Sequence, residues 1–180
     1  MNSKLLFSSL LLYSFILSNT DVIANEITAN DSVLWKSFRT LTFCAETYQI
    51  SSAEKIVLYG AKDRKWIAPS WYWGEAGYGA IGGKRSGYIE GGIMLGHQSS
   101  FAPNLLYDLR IFFGAGGGGS APQGGGMIIQ PTMGLGIELS SQVNMFLELG
   151  YMHFINGNIS SPSVGFTINF NQWALFSSDE

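Results

Sequence analysis

The stretch Met127–Phe154, MIIQPTMGLGIELSSQVNMFLELGYMHF, decides the fold. In its first half, Ile129, Pro131, Met133, Leu135, Ile137 and Leu139 share one parity, and Gln130, Thr132, Gly134, Gly136 and Glu138 share the other. Ser140-Ser141-Gln142 breaks the run with a tight polar connection. Alternation then resumes, with Val143, Met145, Leu147, Leu149 and Tyr151 set against Asn144, Phe146, Glu148, Gly150 and Met152. Period-2 alternation marks β-strands with two unlike faces. An ordinary strand spans about five or six residues, whereas a tilted strand that crosses a bilayer needs about 9–11. Two long strands, a short turn, and an apolar face opposite a small or polar one predict a transmembrane β-barrel hairpin.

The totals agree with that class. The chain has 180 residues with 23 Gly, 14% aromatic and only 13% charged residues. Charge is well below the quarter usual in soluble domains. A net charge of −3 argues against nucleic-acid binding. The single Cys44 excludes an intrachain disulfide framework and any multi-cysteine metal site, so no cofactor or metal is expected. Residues 1–24 have the layout of a secretory signal peptide: Lys4, then the apolar run Leu5–Leu17, then Val22-Ile23-Ala24 before a small-residue cleavage point. The expected organisation is a leader at 1–24, a barrel at 25–170 and a C-terminal tail at 171–180.

The remaining strands are read outward from the deciding hairpin. Residues 38–50 alternate poorly and fit either a strand or a short helix, and Lys55–Ala61 fits a further strand. Lys62-Asp63-Arg64-Lys65 is read as a solvated turn, because four successive charged residues usually face water. Trp66–Ile81, Ser86–Gln98 and a strand through Tyr107, Leu109, Ile111 and Phe113 follow. The last strand is placed at roughly Val164–Phe170, after which either the strand runs on to Phe176 or a short tail remains. Trp66, Trp71, Tyr72 and Trp73 crowd one strand end, as aromatic girdles do at membrane interfaces. The expected fold is therefore all-β, an antiparallel up-and-down transmembrane barrel of eight strands.

The parity opposite the apolar one collects Glu75, Glu90, Asp108, Arg110, Glu138 and Glu148. Small barrels fill their interior with side chains, so these six are expected to form a lumen plug around Arg110. A closed interior leaves no room for substrate, which disfavours reading the carboxylates as an acid–base pair. Gly114–Gly126 is glycine-rich but lacks the Lys-Ser/Thr of a phosphate loop, and no βαβ unit surrounds it. It is expected to be a long loop on the outer side, as is 156–162, with the short 140–142 turn on the periplasmic side.

Two histidines, His97 and His153, are the available imidazole bases. His153 shares the lipid-facing parity at the outer end of its strand. The run His153-Phe154-Ile155-Asn156, followed by Pro162 and Gly165, resembles the lipid A 3-O-deacylase family of outer-membrane barrels. In that family a His-x-Ser-Asn run and a downstream Glu form a triad on the lipid-facing side of the barrel. The resemblance implies that His153 corresponds to the base and Asn156 to the asparagine of the oxyanion site. Ile155 stands at the serine position and Thr167 at the glutamate position. A serine hydrolase needs a hydroxyl, a base and an orienting carboxylate, so little or no activity is expected. His97-Gln98-Ser99 does supply a His-x-Ser, but at the periplasmic end, and Ser160, Ser161 or Ser163 in the outer loop could reach His153 with no carboxylate to help.

The expected role is that of a bacterial outer-membrane barrel with a structural, surface-interaction or lipopolysaccharide-binding function. Its partners would be outer-membrane lipid and lipopolysaccharide. Two other functions fit the pattern less well: an acyl-ester hydrolase of lipid A using His153, and a secreted lipocalin-like carrier. A lipocalin cavity is apolar, whereas the inward parity here is acidic and small.

Overall fold

The structure is a computed structural model that describes residues 27–29, 32–51, 54–82, 84–85, 87–122, 124 and 126–178, with side chains described from Phe38 to Gln172. The expected leader at 1–24 lies outside the described residues. Among the described residues there are nine strands: β1 (Ile27–Ala29), β2 (Ser32–Ser51), β3 (Glu54–Trp66), β4 (Trp71–Gly82), β5 (Ile89–Ala102), β6 (Leu105–Gly117), β7 (Met127–Ser140), β8 (Val143–Phe154) and β9 (Ser160–Ser178). Each pairs antiparallel with its sequence neighbours, and β9 returns to pair with β2. β2–β9 therefore close an eight-stranded up-and-down barrel, while β1 is a short addition on β2. Closure removes the sheet edges that would otherwise need cover.

The described residues between 38 and 62 belong to two strands, with no helix among them. The charged run Lys62–Lys65 is not a turn. It continues β3 to Trp66 and pairs Lys62 with Thr42 and Arg64 with Thr40 across the ladder to β2. The turn expected there sits at 67–70 instead. β9 likewise does not stop at Phe170. It runs to Ser178 because β2 begins at Ser32 and supplies backbone partners along that whole length, from Tyr48↔Ser163 to Val33↔Ser178. Residues 171–178 are thus strand and not tail.

The start of β2 and the end of β9 lie at one rim with the connections 67–70, 103–104 and 141–142, here the terminal rim. The opposite strand ends, from the end of β2 round to the start of β9, form the other, the loop rim. Outward positions are apolar around the wall: Phe43, Tyr59, Ile93, Leu109, Leu135, Leu147 and Phe166 are exposed, with Leu135 and Leu147 at 57% and 59%.

The lumen has three layers. Towards the loop rim it is apolar, filled by Ile56, Leu58, Ile128, Met152 and Phe154 and capped by Ala121 and Ile159 from the loops. Its middle is charged. At the terminal rim it opens into a vestibule.

Candidate functional site

Two places concentrate chemistry: the middle of the lumen, and the outer face around His153. In the lumen, Arg110 on β6 reaches across to β8 and holds Glu148 through both guanidinium Nη atoms, each 2.5 Å from a carboxylate oxygen. Lys62 Nζ donates to the same carboxylate at 3.1 Å, and Thr167 Oγ1 at 3.3 Å. Asp108 accepts from Tyr72 Oη at 2.8 Å and lies 3.3 Å from Arg64 Nη1 and 3.4 Å from Arg110 Nη1. Arg64 Nη1 also donates to Gln98 at 3.1 Å. Glu46 accepts from Gln130, whose Nε2 also donates to Ser163 at 3.0 Å. Glu90 is held apart from the cations by two phenols, Tyr88 Oη at 2.8 Å and Tyr48 Oη at 3.2 Å. Gly96 makes part of this possible, because a Cβ there would collide with the Tyr72 ring that crosses the lumen to Asp108.

Four of the six plug residues read from the sequence meet here: Glu90, Asp108, Arg110 and Glu148 are all buried. Glu75 is a correction. In β4 the buried parity is Tyr72, Ala76 and Tyr78, which places Glu75 on the outer face. Tyr72 takes the inside, where its hydroxyl donates to Asp108, and the Tyr78 ring packs there against Phe112. Glu138 keeps the inward parity but sits at the terminal rim, where it is exposed. Arg110 is not the lone cation: Lys62 and Arg64, both fully buried, and Glu46 complete the layer. Their sequence signal was the even parity Leu58, Gly60, Lys62, Arg64, Trp66, which continues the β3 alternation unbroken.

Outside the barrel, Arg39, Asp63, Lys65 and Glu75 cluster on β2–β4 near the terminal rim. Arg39 Nη1 lies 3.4 Å from Asp63, and the Lys65 ammonium lies 4.5 Å from the centre of the Trp73 ring. His97 joins an aromatic group at the same rim, 4.9 Å from Trp71 and 5.7 Å from Tyr107 by ring centres. The nearby outer wall carries a shallow apolar groove of about 870 Å³ between Trp71, Leu109, Met133, Leu149 and Tyr151. It crosses the point where β7–β8 pairing skips Gln130 and Pro131, since proline has no N–H for the ladder.

His153 points outward near the loop rim, paired across the ladder with Ser160 of β9. Its Nδ1 lies 2.7 Å from Ser160 Oγ, and both side chains are exposed. Of the three serines that the sequence offers near His153, Ser160, Ser161 and Ser163, the strand register selects Ser160. Asn156 is exposed in the connecting loop with φ of 99°, and Ile155 is exposed beside it. Thr167, at the position the deacylase resemblance gives to glutamate, faces the lumen and bonds Glu148. No carboxylate among the described residues bonds His153. Among the same residues, no cluster of three or more His, Cys, Asp or Glu could hold a metal.

No family model matches the chain, and no curated protein does. Its shape is similar to solved barrels. The N-terminal β-barrel domain of Pseudomonas aeruginosa OprF aligns with a TM-score of 0.57 at 9% identity, over 75% of this chain and 97% of that one. A de novo designed transmembrane β-barrel aligns with a TM-score of 0.53 at 10% identity, over 82% of this chain and 100% of that one. The fold is that of transmembrane β-barrels.

Proposed function

We propose that this chain is a bacterial outer-membrane barrel that works from its outside, as a structural or lipopolysaccharide-contacting protein, and not as a pore. The observation that carries the reading is the pairing of an exposed apolar wall with a lumen filled by buried ion pairs. An apolar outer band suits lipid, and a plugged interior leaves no path for solute. The leader-like residues 1–24 fit export, and short turns at the terminal rim against longer loops opposite fit a periplasmic terminal rim. Fractionation tests this: the protein is expected in detergent-extracted outer membranes, migrating faster unboiled than boiled. Recovery as a soluble periplasmic or secreted protein would overturn it.

A second reading is favoured by one contact, His153 Nδ1 to Ser160 Oγ at 2.7 Å on the outer face. In it the protein is a lipid acyl-ester hydrolase. Ser160 Oγ attacks the ester carbonyl while His153 takes its proton; the imidazolium then protonates the departing alkoxide, and water releases the acyl group. Without an orienting carboxylate such a dyad runs well below a complete triad. Mass spectrometry of lipid A from cells with the wild type, Ser160→Ala and His153→Ala decides between the readings. Acyl loss abolished in both variants would establish the hydrolase; unchanged lipid A in wild-type cells would remove it.

A further inference from the structure

The lumen opens at the terminal rim into a vestibule of about 410 Å³, within the range of about 300–1,000 Å³ typical of small-molecule sites. Its wall is assembled from almost every strand of the barrel, through Phe38, Trp66, Gln98, Glu138, Asn144 and Asn171. The polar groups are not interchangeable, because the lumen has already used one end of each amide. Gln98 Oε1 accepts from Arg64 at 3.1 Å, Asn144 Oδ1 from Asn169 at 2.6 Å, and Asn171 Oδ1 from Thr40 at 2.8 Å. These donors fix the amide orientations and leave three NH₂ groups for an occupant. Glu138 adds an exposed carboxylate on the same rim, an acceptor only. The rings of Phe38 and Trp66, 6.0 Å apart and tilted by 44°, supply an angled apolar wall.

Fixed amide donors, one carboxylate and an aromatic wall suit a ligand with an apolar face and an edge of groups that both donate and accept. A sugar ring has both: its C–H face packs on aromatic rings, and adjacent hydroxyls accept from amides while donating to a carboxylate. We propose that this vestibule binds a saccharide of one or two rings, presented from the side of the membrane that the terminal rim faces. The site does not involve His153 or Ser160, so it stands whichever reading of the outer face holds.

The test uses the full chain folded in a sugar-free detergent, since maltoside heads would compete. Maltose and N,N′-diacetylchitobiose are titrated with saturation-transfer NMR, and cell-wall sacculi are tested by co-sedimentation. Saturable binding is expected, weakened about tenfold by Glu138→Ala and by Trp66→Ala, about the loss of one good polar or packing contact. Lys84→Ala, at the opposite rim, should leave it unchanged. Glu138 makes no side-chain bond among the described residues, so its variant is expected to keep the fold, checked by its faster migration unboiled than boiled, and the result stays interpretable. Binding of the free disaccharides identifies a soluble sugar as occupant; sedimentation with sacculi alone, lost in the same variants, identifies a polymeric wall glycan. No saturable binding to any of the three, binding that both variants retain, or displacement of sugar by glycylglycine at lower concentration than by sugar itself overturns the proposal.

Discussion

At the residue scale the molecule turns on Glu148. Its carboxylate answers two buried cations, Lys62 and Arg110, and accepts from Thr167 as well. Removing one partner of a buried ion pair costs far more than the pair contributes, about 3–5 kcal/mol, because the remaining charge keeps its desolvation without compensation. Glu148→Ala leaves two such charges and is expected to lose at least that much in urea unfolding from lipid vesicles. Lys62→Met removes only one of three partners, and the bidentate Arg110 contact persists, so its loss should be clearly smaller. Equal losses would mean that Glu148 is not the hub. Lys62 was misread in the sequence for a physical reason. Polarity serves there as a proxy for water, and a plugged barrel inverts the proxy by turning its charges inward.

At the element scale, legibility followed the contrast between faces. β7 and β8 were read nearly to their ends because one face is apolar almost throughout and the other carries the glycines and polar side chains, broken in β8 only by Phe146, Met152 and Phe154. In β4 both faces mix aromatics with glycine, so parity alone could not say that Tyr72 goes in and Glu75 out. The His153–Ser160 contact was legible only as one of three candidate serines, since the choice among them depends on the β8–β9 register. The β8 reading is testable: Leu147→Arg puts a charge on the lipid face at a cost of about 2–4 kcal/mol near mid-membrane, whereas Glu138→Arg, at the open rim, should be nearly neutral. If both assemble equally well in vesicles, the outer face is misassigned. The loops carry a pH-dependent clasp. Arg85 grips Glu54 with Nε at 2.8 Å and Nη2 at 2.9 Å, while its Nη1 donates to the carbonyls of Gly119 and Ser120. The hydrogen bond from Arg85 holds the Glu54 carboxyl below its usual range. A lowered folded value means the clasp contributes fully above the ordinary carboxylate pKa of about 4.3 and is lost as pH falls through the lower, folded value. Hydrogen exchange at the Ala121 amide, which bonds the Gly118 carbonyl in the clasped loop, should therefore rise, beyond its intrinsic pH dependence, only in that acid window. In Arg85→Ala it should be fast throughout; an identical profile in that variant would refute the clasp.

At the scale of the whole molecule, two structures could close the barrel: the loops that cap one rim, or the charged layer beneath them. Ala121 and Ile159 come from the loops, but Ile56, Leu58, Ile128, Met152 and Phe154 belong to strands, and the ion-pair layer lies deeper still. These side chains are anchored on a closed sheet and held by packing and ion pairs, whereas loops can move as a whole, so the seal should reside in the wall and not in the loops. Wild-type protein in planar bilayers is accordingly expected to show no steady conductance, and replacing 118–126 by a short Asn-Gly turn should leave it closed. Arg110→Ala with Glu148→Ala removes the paired groups that span the lumen together, without stranding either charge opposite its old partner. Lys62, Arg64 and Asp108 then line a wetter passage, and a small, noisy conductance should appear. Current through the loop-shortened protein, with none through the double variant, would place the seal in the loops and show that the charged layer serves stability alone.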